Sequence, residues 1–361
     1  MSATLHAEAI EQIQQTLRAH ARVLPCGGGT KPALSSPPEG TTALHLSEVA
    51  GIIDYDPEEL TFTACAGTPV RDIVAALAEN DQYLPFDPPF VDAGATLGGV
   101  VAAGTSGPLR YRNGGVRDFV LGVRFLDGRA RLVSGGGRVV KNAAGFDLPK
   151  LMVGSAGRLG VILELSMKVF PAPKAWASMS VDLPGLKDAL QVIGRLATAP
   201  FDLEALDLQP PGRLWLRVAG AAEAMTARLQ RLERIIERPG ERVPDDEEPI
   251  LWRDARDFAW APEESSVVKV ALTPKRIPEL EAKLAPSGLA RRYSSGGNLA
   301  WLAWDGKRPV QELDDLLRSL DLAGVVLTGS AVNPMVGAHR GGAFARRVKA
   351  ALDPDGRFPE V

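Results

Sequence analysis

Between Gly94 and Gly160 lie 16 of the chain's 37 glycines, more than twice an even share for 67 of 361 residues. Glycine destabilises the interior of a helix or strand, and it is useful where backbone must approach another group closely. Short apolar runs at 119–126, 131–133 and 160–169 alternate with the glycine clusters and read as strands. A helix bundle is therefore excluded over this stretch. A β-rich layer with tight turns is expected instead.

The flanking residues read as regular elements. Leu5, Ala9, Ile13 and Leu17 recur every four residues and predict an amphipathic helix. The run 22–24 is a short strand expected to stop at Pro25, 43–46 is another, and 60–66 alternates as a third. Thr68 and Pro69 predict a helix reaching about Asn80, with Thr68 as N-cap and Pro69 at the first helical position. At Phe170-Pro171-Ala172-Pro173 the texture changes, and a domain boundary is expected.

Beyond it, Leu186, Ala189, Leu190, Ile193, Leu196 and Ala197 form one helical stripe, and Met225, Leu229, Leu232 and Ile236 another. Strand candidates at 203–208, 214–218, 267–272, 299–304 and 325–327 make this an α+β cap of paired β-α-β units. Residues 238–248 are charged and contain Pro239 and Pro244, so a solvated surface loop is expected. No repeat stands out. The expected organisation is a domain over 1–172 (subdomains about 1–68 and 69–172), a cap over 173–328, and a segment 329–361 returning to the first domain.

Charge and composition narrow the class of function. With 41 Lys and Arg against 44 Asp and Glu, the net charge is −3, so no nucleic-acid partner is expected. Two cysteines, Cys26 and Cys65, suit buried reduced thiols rather than a disulfide framework. No apolar run of about 18 residues occurs, and the N-terminus, with Glu8 and Glu11, does not read as a secretion signal. A cytoplasmic protein is expected, touching a membrane only peripherally through partners. The four histidines, His6, His20, His45 and His339, form no cluster, so no metal site is expected.

Four constellations carry chemistry. The first is Pro25-Cys26-Gly27-Gly28-Gly29-Thr30-Lys31, whose successive glycine amides can form a concave nest for anionic oxygens. Thr30 adds a hydroxyl and Lys31 a charge. The spacing matches neither a Walker A loop nor a Gly-x-Gly-x-x-Gly turn, and alone it is as compatible with a plain turn. The second runs from Pro85-Phe86-Asp87-Pro88-Pro89 to Thr96-Leu97-Gly98-Gly99 and on to Gly104-Thr105-Ser106-Gly107, with small residues at nearly every position. The third is Gly115-Val116-Arg117-Asp118, suited to an ion pair or a ligand contact. The fourth is Lys141-Asn142-Ala143-Ala144-Gly145-Phe146-Asp147, followed by Gly157-Arg158-Leu159-Gly160-Val161-Ile162.

At these spacings the four together resemble the FAD-binding domain of the vanillyl-alcohol oxidase/PCMH flavoprotein superfamily, over roughly residues 20–172. The resemblance implies an α+β chain, a PCMH-type two-subdomain FAD-binding fold followed by an α+β cap domain. It implies that Gly27, Gly28, Gly29, Thr30 and Lys31 embrace the FAD diphosphate together with Gly98, Gly99, Gly104, Ser106 and Gly107. Asn142, Gly145, Asp147, Gly157, Gly160, Val161 and Ile162 would lie along flavin, ribose and adenine. Pro88, Thr96, Arg117 and Asp118 complete the candidate cofactor site. Relatives that tether the flavin through this loop use a histidine; none is present at 27–31, so noncovalent FAD is implied.

Within the superfamily, Asp56-Pro57-Glu58-Glu59-Leu60-Thr61-Phe62-Thr63, Tyr83-Leu84-Pro85-Phe86-Asp87-Pro88-Pro89 and Gly296-Gly297-Asn298-Leu299-Ala300-Trp301-Leu302 resemble the FAD-binding subunits of bacterial glycolate oxidases. That family implies a multi-subunit complex oxidising glycolate, a small 2-hydroxy acid, to glyoxylate. Its partners would be a second, catalytic FAD subunit and an iron–sulfur subunit passing electrons to the quinone pool of the inner membrane. The tail Asp353-Pro354-Asp355-Gly356-Arg357-Phe358-Pro359 keeps part of a family motif but lacks its following Asn and terminal Gly-Arg. Catalytic relatives carry a His-x-His-x-x-Asp-Gly signature that is missing here, and His339 stands alone, so no catalytic residue is assigned. Two other readings stay open: a stand-alone FAD-dependent dehydrogenase or oxidase of a 2-hydroxy acid or other alcohol, and a flavin-free assembly scaffold.

Overall fold

The structure, a computed structural model, describes residues 3–37, 39–137, 146–330 and 333–360. The chain divides into two compact units. The first comprises Met1–Ser106, Gly115–Ala172 and Arg340–Val361; the second comprises Gly107–Gly114 and Pro173–His339.

In the first unit, helix α1 (Ala3–Ala19) is followed by β1 (Val23–Cys26), a single turn α2 (Pro32–Ser35) and β2 (Thr42–His45). β1 and β2 pair in parallel as an isolated two-stranded sheet, with Val23 opposite Thr42 and Cys26 opposite His45. The strand thus runs through Pro25 instead of stopping there. Each strand of a two-stranded pair has an open edge, where a missing N–H costs no ladder bond.

A second sheet has the order β3-β4-β8-β6-β7, from β3 (Ile52–Asp56), β4 (Thr61–Cys65), β6 (Val120–Leu126), β7 (Leu132–Gly136) and β8 (Val161–Lys168). Alternation along β4 sends Phe62 and Ala64 into one core and Cys65 into another. In β8, Ile162, Leu165 and Met167 join the first core, and Val161 and Leu163 the second. The second core also holds Ile13, Leu17, Val23 and Phe358, so α1 and the tail cover that face. The short pair β5 (Gln82–Tyr83) and β9 (Phe170–Pro171) closes the unit.

Helix α3 (Val70–Ala78) starts one residue later than expected, with Pro69 at the N-cap position. The Thr68 hydroxyl is not its cap. It donates to the Cys65 carbonyl at 2.7 Å and accepts from the Gly51 amide at 2.9 Å. Helix α4 (Leu97–Ala103) and α6 (Leu148–Met152) complete this unit's helices before the tail, while α5 (Arg110–Asn113) belongs to the second unit.

The second unit contains a duplication that the sequence conceals. Strand β10 (Ala175–Asp182), helix α7 (Leu186–Thr198), strands β11 (Ala205–Gln209) and β12 (Arg213–Gly220), helix α8 (Met225–Ile236) and strand β13 (Glu241–Arg242) form a β-α-β-β-α-β half. Helix α9 (Glu248–Arg256) leads to the second half. That half is β14 (Ser265–Ala271), α10 (Ile277–Leu284), β15 (Arg291–Ser294), β16 (Leu299–Asp305), α11 (Val310–Ser319) and β17 (Ala323–Val326). All pairings are antiparallel, and the order β13-β10-β12-β11-β15-β16-β14-β17 is one split β-α-β motif set edge to edge with its mirror-ordered copy. The halves meet at Leu208 and Tyr293, and β18 (Met335–Gly337) extends the outer edge.

The charged run 238–248 is not a plain solvated loop. Glu241 and Arg242 pair with Ser180 and Met179, and Glu248 is 4% exposed. Its carboxylate takes two bonds from Arg217, at 2.8 and 2.9 Å, and a third from Ser178 at 2.8 Å. Arg217 also lies 4.1 Å from the Trp176 ring. This network fastens α9 to the sheet face that carries Ser178 and Arg217. Helix α12 (Gly342–Leu352) then returns the chain to the first unit.

Candidate functional site

A cleft with about 690 Å³ of empty space, open solvent included, lies in the first unit. Three stretches form its walls. The turn after β1 contributes Gly27, Gly28, Gly29, Thr30 and Lys31; the start of α4 contributes Thr96, Gly98 and Gly99; the approach to β8 contributes Ala156, Gly157, Gly160 and Ile162.

Close backbone approach explains the small residues. A Cβ on Gly28 would sit 1.9 Å from the Gly94 carbonyl oxygen, and one on Gly27 would sit 2.2 Å from Thr96 Oγ1. Thr96 caps α4 by accepting the Gly99 amide at 3.3 Å. At the other end Gly104 takes φ 61°, a left-handed C-cap that a side chain would strain.

The chemistry of the walls is anion-directed. Among the described residues, none accepts a hydrogen bond from the amides of Gly27, Gly28, Gly29 or Thr30. Four consecutive free donors beside a cleft form a nest for anionic oxygen. Lys31 brings a buried charge, 5% exposed, with Nζ 3.3 Å from Thr30 Oγ1 and 5.4 Å from the Phe90 ring centre. Among the described residues, no carboxylate or imidazole is in the walls. The Cys26 thiol, also in the wall, is pushed up by burial and lies 3.3 Å from the Ser35 carbonyl, which makes it a poor nucleophile.

Two hydroxyls went unnoticed in the sequence. Thr105 Oγ1 and Ser155 Oγ are buried without any hydrogen-bond partner. Thr105 follows the cap of α4, and Ser155 precedes the wall residue Ala156. A buried unpartnered hydroxyl is costly, so each is suited to a ligand that supplies the missing partner. In the sequence they are two small polar residues among many, and only burial separates them.

Other candidates lie elsewhere. The Ser106 hydroxyl accepts the Val116 amide at 2.9 Å, and Ser106 does not line the cleft. Gly107 belongs to the second unit. Asp118 accepts the Gly115 amide at 2.9 Å and closes its own turn, while Arg117 is exposed. Asp147 caps α6 through the Lys150 amide and pairs with its ammonium at 3.1 Å. Val161 packs into the core, and Pro88 and Gly104 do not line the cleft. Asn142 and Gly145 lie outside the described residues. His339, in the second unit, bonds to the Val336 carbonyl at 2.9 Å.

Free amides, one buried cation and glycine-tight walls fit a nucleotide with a diphosphate bridge. Comparison with known proteins agrees. Residues 1–136 match the family described as FAD binding domain. The chain is similar to the glycolate oxidase subunit GlcE of Escherichia coli, 40% identical over 218 residues, covering 60% of this chain and 61% of that protein. It is 29% identical over 189 residues to glycolate oxidase subunit GlcD of Bacillus subtilis, covering 51% of this chain and 40% of that one. A D-2-hydroxyglutarate dehydrogenase of Xanthomonas citri is 29% identical over 229 residues, or 61% of this chain and 48% of the enzyme. The chain thus spans less than two thirds of the length of each. Among solved structures, an alkyldihydroxyacetonephosphate synthase superposes with a TM-score of 0.72 at 15% identity, covering 97% of this chain and 74% of that one, which establishes likeness of fold. Cleft chemistry and family match agree: residues 1–136 are similar to an FAD binding domain, and likeness of fold to the synthase extends over nearly the whole chain.

Proposed function

We propose that the chain is the FAD-binding subunit of a multi-subunit enzyme oxidising a small 2-hydroxy acid, glycolate, to glyoxylate. The observation that carries this reading is the 40% identity to a glycolate oxidase subunit over a stretch of 218 residues. Bound FAD supplies hydride and electron transfer. The chain's own residues hold it: the amides of Gly27, Gly28, Gly29 and Thr30 and the Lys31 ammonium take the diphosphate, and Gly98, Gly99, Gly157 and Gly160 let the nucleotide lie against backbone.

Attachment is noncovalent in this reading, because the described wall residues include no histidine and burial raises the pKa of the Cys26 thiol. Oxidising an alcohol needs a group to accept the hydroxyl proton. Among the described residues the cleft walls present Lys31 but no carboxylate or imidazole, which supports a division of labour. A second flavin subunit holds substrate and base, and an iron–sulfur subunit takes the electrons. No helix among the described residues is long and apolar enough to cross a membrane. Cytoplasmic placement, with membrane contact through those partners, completes the proposal.

The test is reconstitution of the full chain. Purified alone it takes up FAD, releases all of it on denaturation, and does not oxidise glycolate with an artificial electron acceptor; addition of the flavin and iron–sulfur partners restores turnover. Turnover by the isolated chain would overturn the subunit reading in favour of a stand-alone dehydrogenase. Failure to take up flavin would leave an assembly scaffold.

A further inference from the structure

The tail carries a motif that the cleft does not absorb. None of residues 349–360 lines the cleft, yet they are bonded to two of its walls. Lys349, on α12, is 5% exposed and spends all three ammonium hydrogens: on the Arg158 carbonyl at 2.8 Å, the Phe358 carbonyl at 2.9 Å and Asp353 Oδ2 at 2.6 Å. Asp353, 3% exposed, in turn accepts the Arg357 amide on Oδ1 and the Phe358 amide on Oδ2, each at 2.9 Å. Arg158 reaches back through Nε to the Glu360 carbonyl at 2.7 Å. It stands between Gly157 and Gly160, both wall residues.

The same tail grips the opposite wall. Arg357 donates to the Leu17 and His20 carbonyls at 2.9 and 2.7 Å, and its own carbonyl accepts the Val23 amide at 2.7 Å. Val23 begins β1, which runs straight into the glycine turn. The walls themselves nearly touch, since a Cβ on Gly157 would lie 3.1 Å from Pro25 Cδ. A small displacement of either wall therefore changes the cleft.

We propose that residues 349–360 are a latch that presets the spacing between the β1 turn and the 157–160 loop, with Lys349, Asp353 and Arg357 as positioning residues for the flavin nucleotide. A fully desolvated ion pair adds little stability over apolar side chains of equal size, whereas its bond directions fix geometry. The latch rests on the FAD reading of the cleft, and its effect is a coupling: holding the walls favours the nucleotide, and the nucleotide favours the held tail.

The experiment uses the full chain and FAD itself. Lys349→Met keeps the length of the side chain and removes its bonds; Arg357→Gln loosens only the β1 side. FAD affinity by fluorescence quenching is expected to fall about tenfold in K349M and a few-fold in R357Q, within the usual span of coupling between sites. Hydrogen exchange of the unaltered chain gives an independent readout. Saturating FAD is expected to slow exchange at the Arg357 and Phe358 amides, as it does in the 157–160 loop. Should K349M fail to fold, R357Q and the exchange measurement decide. Unchanged affinity in folded variants whose melting temperature alone falls would reduce the tail to a structural prop and overturn the latch. Protection of the loop without the two tail amides would overturn it as well. If the unaltered chain takes up no FAD, the cofactor reading fails together with the latch.

Discussion

Gly28 brings the β1 turn against Gly94 with no side chain between them, whereas in the second unit Arg217 joins β12 to α9 through two bonds to Glu248. The first solution fixes geometry by removing atoms and leaving main-chain donors at the surface. The second buries charge and completes every bond it can: Ser178 donates to Glu248 and accepts from Trp252 Nε1 at 2.7 Å. Contacts made by absence tolerate no addition. Contacts made by charge tolerate no deletion.

The largest expected effect tests the charged side. Glu248→Ala would leave Arg217, whose side chain is 12% exposed, without its carboxylate. Removing one partner of a buried pair costs about 3–5 kcal/mol, so urea or thermal unfolding should show a loss of that order. FAD affinity, measured well below the melting temperature, should stay within about twofold, because every wall residue of the cleft belongs to the first unit and Glu248 to the second. A parallel collapse of flavin uptake would break the contrast.

The reverse test adds one methyl group. Gly28→Ala places carbon where only 1.9 Å separates it from a carbonyl oxygen, so the turn must shift. Overpacking costs about 1–3 kcal/mol. If that cost falls on the bound form, FAD binds up to about a hundredfold more weakly. Titration of flavin fluorescence reads it, and wild-type affinity in G28A would show that the turn has room to spare.

What was legible in the sequence follows the same division. A glycine turn, a run of small residues from Thr96 and a glycine-rich strand approach are local, so neighbouring residues disclose them, and the structure brings Gly27, Thr96, Gly98, Gly157 and Gly160 to one cleft. Long-range side-chain work is not local. Ser106 is a ligand candidate in sequence because nothing there shows the Val116 amide that occupies it. Glu248 sits in a run that reads as solvated because its partners, Ser178 and Arg217, are 70 and 31 positions away. The duplicated halves of the second unit share strand order rather than motif, and order is invisible until the strands pair. Thr105 and Ser155 differ from other small residues only by burial.

Thr105 gives a finer test of the first unit. Its hydroxyl is buried and unpartnered in the protein alone. Thr105→Val keeps the shape and deletes the orphan, which should leave the flavin-free chain as stable or up to about 1 kcal/mol more stable. If FAD supplies the missing partner, the same change weakens binding by up to about tenfold. Opposite signs in melting temperature and affinity mark a group kept for a ligand. Equal affinity in T105V would remove it from the site.

The smallest effect concerns a charge whose pKa is lowered by burial in the second unit. Lys269, on β14, has its pKa pushed from 10.5 to about 8, chiefly by burial and then by the Arg110 guanidinium. Below pH 8 the folded and unfolded chains both hold this proton, and the cost of burying it is fully present. Between about 8 and 10.5 the unfolded chain binds more protons than the folded one, so stability rises with pH through that window. The side chain is half-buried, and solvent screening reduces the gain to about 1 kcal/mol, a few degrees of melting temperature. Lys269→Met should flatten the rise by that amount relative to the unaltered chain, measured as melting temperature against pH. An identical slope in K269M would show that burial of this ammonium costs the fold nothing.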